Sequence, residues 1–556
     1  GALKARLCVQ GCSQVPGVDF DQTWCSTLRS STLRLLCAAS SRWNLKMRRW
    51  DFVAAYLQGE LEDGEVVYCS SPPGYEHASG KGADGQDRVY RIDKPVYGMS
   101  QAGRRWQRTL FPWLLSPEVG FQQSKEDDCV FYKYETVQTP RGPRQERLIL
   151  GCYVDDLFTT YSHDDEYSLY RQFVTTLTDR WEVEDEGEVR DLLGVEISRE
   201  DQHVVMRQTT YINKMMSTYL PEGLPASFQS TKTPAAVELP QRVLDALEQT
   251  DAIDPHLLRR YQSIVGALNY AATNTRPDIA YSVGMLSRAL GKPTEELYCD
   301  ALRVLAYLHR HREMGLRYES SEVEVPVSGM VDSDWAVRHS TTGWVFQFCK
   351  AAISWGSKKQ KSVALSSCEA EIMAASEAAK EAVYLKRFLS ELGLHDADSP
   401  VSLSCDNQAA VDTAYNPENH ERMKHVERRH FFVRERVQDG QLLVPFVRTH
   451  DNMADFFTKV VSPAQFAHMR DVIMNCDSKQ SRALRLSASR GTRLPRAGGR
   501  YESDASDGST GSSHTRDGSL ISHTACIATN TKVQTESPEL SVDVASIVAK
   551  GPTQLI

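Results

Sequence analysis

Two carboxylates stand side by side in Tyr153-Val154-Asp155-Asp156. Apolar residues lead into them through Leu148, Ile149, Leu150 and Cys152, and Leu157 and Phe158 follow. The pattern predicts a strand, a tight turn carrying the acids, and a second strand. Adjacent like charges repel and destabilise a fold unless a cation sits between them. A divalent metal meets that need, and an oxygen-rich site suits the hard ion Mg²⁺. The plain alternative is a solvated acidic turn, which is common at hairpin tips. A third acid weighs against it. Asp51 lies inside Arg49-Trp50-Asp51-Phe52-Val53-Ala54-Ala55-Tyr56-Leu57, a strand-like run in which a lone carboxylate is normally excluded unless paired or metal-bound. Asp51 is therefore the natural third ligand. Two such segments brought together could seat two ions roughly 3.5–4 Å apart, clamping an attacking hydroxyl and a leaving phosphate.

The chain that must position these acids has 556 residues, too many for one core, and predicts about three domains or more. Its net charge of −9 argues against a nucleic-acid binder held by overall charge, but it leaves room for a local basic channel. No apolar run approaches the ~20 residues of a membrane span. The 13 cysteines have no repeating spacing; Cys8 and Cys12 lack a second pair for zinc, and reduced thiols of an intracellular protein are expected. The chain starts Gly1-Ala2-Leu3, without Met, and is expected to be truncated or processed there.

Periodicity places a helix over Leu33–Ala39, a loop over 76–88, and a turn before an amphipathic helix in 89–115. Gly74 to Lys81 has the wrong spacing for a phosphate loop. Residues 136–146, with Pro140, Gly142 and Pro143, read as a loop between two strands. Helix and strand alternate over 163–235. Helices fill 256–313, interrupted at Thr275-Arg276-Pro277-Asp278. A second organised unit spans 324–459. It has strands at Val331–Trp335, Trp344–Phe348, Ala352–Ser357, Val401–Cys405 and Leu442–Val447, a helix Glu369–Leu392 capped by Ser366-Ser367, and a basic helix Met423–Arg436. Strands followed by helices in this order indicate α/β architecture. From Ser478 to Arg500 there are seven Lys or Arg and no acid, and Ser, Thr, Gly and Asp dominate beyond, which reads as a disordered tail.

These features, in this order, closely resemble the reverse transcriptase–ribonuclease H part of a copia-type LTR retrotransposon polyprotein. The resemblance covers roughly 1–465. It rests on Lys4-Ala5-Arg6-Leu7, on Asp51 through Gly59, and on Tyr97-Gly98 with Gln101 and Trp106. Tyr153 to Leu157, Leu193 to Ile197 and Arg276-Pro277-Asp278 continue it. Ser354-Trp355 with Lys358-Lys359-Gln360, Ser366-Ser367 with Glu369-Ala370-Glu371, Lys424-His425 with His430-Phe431, and Ala454-Asp455 with Thr458-Lys459 complete it.

The resemblance implies a right-hand α+β polymerase with fingers, palm and thumb, followed by an α/β ribonuclease H-like domain and a disordered tail. The implied domains are 1–235 reverse transcriptase, lacking its first fingers strand; 236–323 helical connection; 324–465 ribonuclease H-like; and 466–556 tail. By motif, Asp51 and Asp155 would hold two Mg²⁺ ions, Mn²⁺ being a possible substitute, with Asp156 beside them. Tyr56 would stack under the incoming sugar and exclude a 2′-hydroxyl, Gln101 would help position the nucleotide, and Lys4 and Arg6 would contact its triphosphate. In the second unit Asp332, Glu371, Asp406 and Asp455 would hold two further ions for RNA cleavage. Asp334 and Glu369 compete for the first two places, but a helix puts Glu369 and Glu371 on different faces and the motif favours Glu371. His450, a few residues before Asp455, reads either as an aid to product release or as a surface-loop histidine, and His425 and His430 as packing or RNA-facing residues. Ile372 and Cys368 depart from the aromatic and the Thr usual at those positions.

The implied function is RNA- and DNA-templated DNA synthesis coupled to degradation of the RNA strand in retrotransposon replication. The alternative is an inactive or domesticated remnant that binds nucleic acid. The implied partners are RNA template, DNA primer, RNA–DNA hybrid and dNTPs. The other polyprotein products (capsid, protease and integrase) would join them in a cytoplasmic virus-like particle or in the nucleus, with no membrane.

Overall fold

A computed structural model describes residues 7–72, 88–250, 252–320, 326–335, 339–415 and 427–476. Lys4, Arg6 and His425, the side chain of His430, and the expected tail from 477 onward lie outside the described residues.

Helix α1 (Ser30–Arg42) leads into strand β1 (Lys46–Phe52) and the short helix α2 (Ala55–Gln58). Strands β2 (Val67–Cys69) and β3 (Tyr90–Ile92) pair as a separate ribbon. Helix α3 (Ala102–Leu115) precedes β4 (Gln122–Gln123), β5 (Val130–Thr139), β6 (Gly142–Tyr153) and β7 (Asp156–Tyr161). Helix α4 (Leu169–Arg180), capped by the Ser168 hydroxyl, and β8 (Val183–Glu188) follow. The sheet is antiparallel, in the order β4-β5-β6-β7-β1-β8. Its middle, over Leu148–Cys152 of β6 and Leu157–Tyr161 of β7, is buried on both sides. Val130, Ile149 and Phe158 join α1 in one core, whereas Phe131, Leu148, Leu150 and Leu157 join α3 and α4 in another. Side chains alternate between faces along a strand, so Leu148–Cys152 of β6 reads as an unbroken apolar run.

Two expectations are corrected here. Residues 136–146 are mostly strand, because β5 and β6 pair down to Thr139 and Gly142 and leave only Pro140 and Arg141 in the turn. The run from Arg49 to Leu57 stops being strand at Phe52, since Ala54 takes a left-handed conformation and starts α2.

Strands β9 (Asp191–Leu192), β10 (Val195–Glu200) and β11 (His203–Arg207) form a second antiparallel sheet. Helices α5 (Thr209–Tyr219), α6 (Leu239–Glu248), α7 (Pro255–Asn274), α8 (Ala280–Ser287) and α9 (Glu295–Arg310) follow. Asp254 caps α7 at His256 N–H and Leu257 N–H, with Pro255 in the first turn, where its missing N–H costs nothing. The break between α7 and α8 is built on Arg276, which is fully buried, grips Asp278 and donates to His311 O. Strand β12 (Leu316–Glu319) then returns to β11, so the expected helical connection ends inside a sheet begun before residue 235.

The third sheet contains β13 (Ser328–Asp334), β14 (Thr341–Phe348), β15 (Ala351–Lys359), β16 (Val401–Cys405) and β17 (Leu442–Leu443) in the order β15-β14-β13-β16-β17. The first three strands are antiparallel and the last two pairings are parallel. Helix α10 (Ser367–Glu391) lies across β13, β14 and β16, and helices α11 (Gln408–Tyr415) and α12 (Glu427–Gln438) pack beside it. The expected strand over Leu442–Val447 shrinks to β17 and a bridge from Cys405 to Phe446. Helix α13 (Pro463–Met474) overrides the boundary expected at 465, because Phe466, Met469, Ile473 and Met474 are buried in the core.

The described residues within 1–67 and 92–485 make one compact unit. Its seam runs through α1, ten of whose 13 residues are buried. Arg34 donates from Nε to Ile353 O at 2.7 Å, and from Nη1 to Thr273 O and Asn274 O at 2.7 and 2.9 Å. Its guanidinium lies 4.1 Å from the centre of the Trp355 ring. Thr32 bonds Tyr384 at 2.9 Å, Ser124 bonds Glu391 at 2.7 Å, and Tyr318 OH donates to Ala352 O at 2.9 Å. None of the described helices is long and apolar enough to cross a membrane.

Candidate active site

Strands β1 and β7 put Asp51 directly opposite Asp156, and Phe52 N–H donates to Asp155 O at 2.9 Å. Residues opposed on an antiparallel pair share a face. The three acids are thus neighbours. Burial raises the Asp51 carboxyl above the ordinary carboxylate range, and the charges of Asp155 and Asp156 raise it further. Burial raises Asp156 as well, against an opposing pull from Arg49. Arg49 Nε donates to Asp156 Oδ1 at 2.7 Å. That arginine was missed in the sequence, although its place two residues before Asp51 on one strand puts it on the same face.

The turn between β6 and β7 contains Val154 at φ +56°. Trp106 of α3 donates from its indole nitrogen to Val154 O at 2.6 Å. On the other side, Tyr56 is half-buried on α2, with its ring centroid 4.8 Å from that of Tyr97. Burial pushes its phenol up to about 12, and Cys25 and Asp155 add to the shift. Gly98 next to Tyr97 has φ +91°, and a Cβ there would collide with Val9 O, so this loop crossing requires glycine. Gln101 is fully buried. Its amide bonds Gln14 at 3.1 Å, Asp19 O at 3.2 Å and Glu65 at 3.0 Å, which fastens the surrounding loops.

The third sheet gathers the other acids. Val331 pairs with Cys405 across parallel strands, so Asp332 and Asp406 leave neighbouring strand ends. Asp455 sits in a short 3₁₀ turn, Met453–Phe457. Asn452 holds that turn by donating to Val331 O at 2.9 Å and accepting from Ala454 N–H. Gly343, opposite Asp332, lets the turn close in, since a Cβ there would lie 2.6 Å from Thr458 Cγ2 and 2.9 Å from Phe457 Cβ.

Among the described residues, ligand atoms converge within 4.8 Å in two overlapping groups: Asp332, Asp406 and Asp455, and Glu371, Cys405 and Asp406. The first offers only carboxylate oxygens, which fits a hard divalent cation. Asp51, Asp155 and Asp156 form no such group.

Glu371 accepts from Ser333 N–H at 3.2 Å, and its carboxyl is pushed up to about 9 by burial, then by Asp332 and Asp406. Burial and the charge of Asp455 likewise raise Asp332. Glu369 is used elsewhere. Its backbone N–H binds the capping hydroxyl of Ser366, and its carboxylate accepts from Leu365 N–H at 2.7 Å. Asp334 is occupied by Thr341. His450 has a side chain 91% exposed, beside Asp451. Thr458 and Lys459, quoted above only as motif residues with no role, also enter the site: Lys459 Nζ lies 2.7 Å from Asp455 and 4.0 Å from Asp332, and the Thr458 hydroxyl donates to Asp332. The helical spacing of Lys459 from Asp455 was the available signal.

Residues 1–222 match the family model described as reverse transcriptase (RNA-dependent DNA polymerase). A transposon Ty5-1 protein of Saccharomyces cerevisiae is 30% identical over 339 residues, and the match spans 99% of that protein. The chain belongs to the reverse transcriptase family of transposon proteins. Within that class it groups with copia-type Pol polyproteins. That of transposon TNT 1-94 from Nicotiana tabacum is 33% identical over 480 residues, covering 84% of this chain and 34% of the relative. The chain therefore spans about a third of the length of that polyprotein. Among solved structures, a foamy viral protease–reverse transcriptase in complex with RNA/DNA hybrid aligns with TM-score 0.39 and 12% identity over 73% of this chain and 44% of that one.

Proposed function

We propose that this chain is an RNA-directed and DNA-directed DNA polymerase coupled to ribonuclease H cleavage of the RNA strand. One observation carries the polymerase reading: Asp51 stands opposite Asp156 at the hairpin that carries Asp155, in a chain of the reverse transcriptase family. Asp51 and Asp155 would hold two Mg²⁺ ions, with Asp156 beside them. Such ions, when bound, activate the primer hydroxyl and neutralise the leaving phosphate. Lys4 and Arg6 contact the triphosphate, and Gln101 acts through the loop it fastens. The third sheet is read as ribonuclease H-like because four acids from two strand ends, one helix and one turn meet there. Asp332, Glu371, Asp406 and Asp455 would hold its ions. Template, primer, hybrid and dNTPs are the ligands. Capsid, protease and integrase from the same polyprotein share its particle, in the cytoplasm or the nucleus.

Primer extension by the purified chain on an RNA template tests the polymerase reading, and no extension in Mg²⁺ or Mn²⁺ refutes it. Glu371→Gln separates the two sites. It is expected to stop cleavage of an RNA–DNA hybrid while primer extension persists, because the clusters draw on different sheets. Hybrid cleavage at the unaltered rate removes Glu371 from the site.

Tyr56→Ala tests sugar selection. A ring beside Asp155 rejects a 2′-hydroxyl by volume, so its loss admits ribonucleotides. Each tenfold loss of discrimination corresponds to about 1.4 kcal/mol of relative barrier. The ratio of ribonucleotide to deoxynucleotide incorporation decides; an unchanged ratio in folded protein takes Tyr56 out of the nucleotide site.

A further inference from the structure

The palm acids arrive on two separate segments, and one side chain touches both. Trp106 is 1% exposed, and its indole N–H donates to Val154 O at 2.6 Å. Val154 directly precedes Asp155 and holds φ +56°, a conformation that a β-branched residue keeps only where its surroundings impose it. The same indole packs edge-on against Phe52, with ring centroids 4.9 Å apart. Phe52 follows Asp51, and its N–H is the one bound to Asp155 O. Trp181 closes the group, 5.3 Å from Trp106 and 6.1 Å from Phe52. The next residue, Glu182, accepts from Val53 N–H at 3.0 Å. Both segments are thus fastened through one aromatic cluster, with Trp106 at its centre.

We infer that Trp106 is a positioning residue for the polymerase metal site. Its N–H holds the Val154 turn in its strained form and its ring fixes Phe52, so that Asp51 and Asp155 are presented together. This rests on the polymerase reading above. Filling the core needs only the ring. The N–H has a different task, since it is spent on the carbonyl of the turn that aims Asp155. Without it the turn relaxes and the competent arrangement becomes a fraction of the population. Metal then binds more weakly by that same fraction.

The test uses the full chain carrying Trp106→Phe, which keeps a ring and removes the donor. Thermal melting, Mn²⁺ binding by the free-ion EPR signal in an Asp332→Asn/Asp406→Asn background, which breaks both groups of the third sheet, and the Mg²⁺ dependence of primer extension are measured. The expected result is cooperative unfolding with Mn²⁺ affinity about tenfold weaker and half-maximal Mg²⁺ about tenfold higher. Extension falls at limiting Mg²⁺ and recovers in part with excess. Unchanged Mn²⁺ affinity and Mg²⁺ dependence in folded protein overturns the inference. So does a loss of extension that is uniform at all Mg²⁺ concentrations, which marks packing alone. If Trp106→Phe does not fold, the benzothienylalanine analogue at 106 keeps the full bicyclic ring without the N–H, and the same outcomes apply. A wild-type chain that extends no primer overturns the polymerase reading, and this inference with it.

Discussion

Asp155→Asn is expected to abolish nucleotide addition while the protein remains folded. The carboxylate sits on a hairpin turn held by Trp106 and by Phe52 N–H, and neither bond uses its side chain. The amide keeps the shape and loses the charge. A divalent ion contributes several kcal/mol of transition-state charge stabilisation, and each 1.36 kcal/mol is tenfold in rate. The expected fall is therefore about a hundredfold to a thousandfold. Stability should move the other way. Asp155 raises the Asp51 carboxyl by like-charge repulsion, so its neutralisation relieves the metal-free protein. Primer extension on an RNA template and a melting curve without metal are the two measurements. Extension near the wild-type rate would mean that Asp155 holds no metal.

The largest effect on stability is expected from Arg34→Met. Methionine fills much of the same space without donors. Three backbone carbonyls, from Ile353, Thr273 and Asn274, then lose the guanidinium. Each buried acceptor left unpaired costs about 1–3 kcal/mol, so the expected loss is about 3–5 kcal/mol. Burial lowers this guanidinium to about 10. Because the carbonyls belong to both the helical region and the third sheet, the two halves should weaken together. Urea unfolding followed by near-UV and far-UV signals checks this, and a change below about 1 kcal/mol would show that the seam does not depend on Arg34.

The hairpin of β6 and β7 was legible because two adjacent acids and an apolar run coincide in sequence. An apolar run around two acids has few structural solutions, and the middle of β6, buried on both faces, supplies one. Pro140 and Pro143 misled because turn residues mark a region rather than a boundary, and Pro143 pairs with Gln138 inside the ladder. The choice between Glu369 and Glu371 was open to helix geometry, since a capping position and a cluster position lie on different faces. What could not be read was any contact between distant segments. Arg34 looks like an ordinary helix cation until Ile353 and Thr273 come into view, and nothing near Gly343 announces the turn that carries Asp455. Trp106 was visible as a motif residue, but its task depends on a carbonyl 48 positions away. Helix α13 was cut because its burial depends wholly on partners elsewhere.

The seam through α1 also bears on what a protease could do to this molecule. A single nick between Glu319 and Ser328 would yield two polypeptides that do not part. The upstream piece would keep Arg34, Thr32, Ser124 and Tyr318. The downstream piece would keep Ile353, Tyr384, Glu391 and Ala352, their direct hydrogen-bonding partners. Asn475 would still donate to Arg317 O at 2.7 Å from across the cut. The product would migrate as two bands under denaturing conditions and as one particle in native sizing. A two-subunit protein would have been made from one chain by hydrolysis of a single peptide bond.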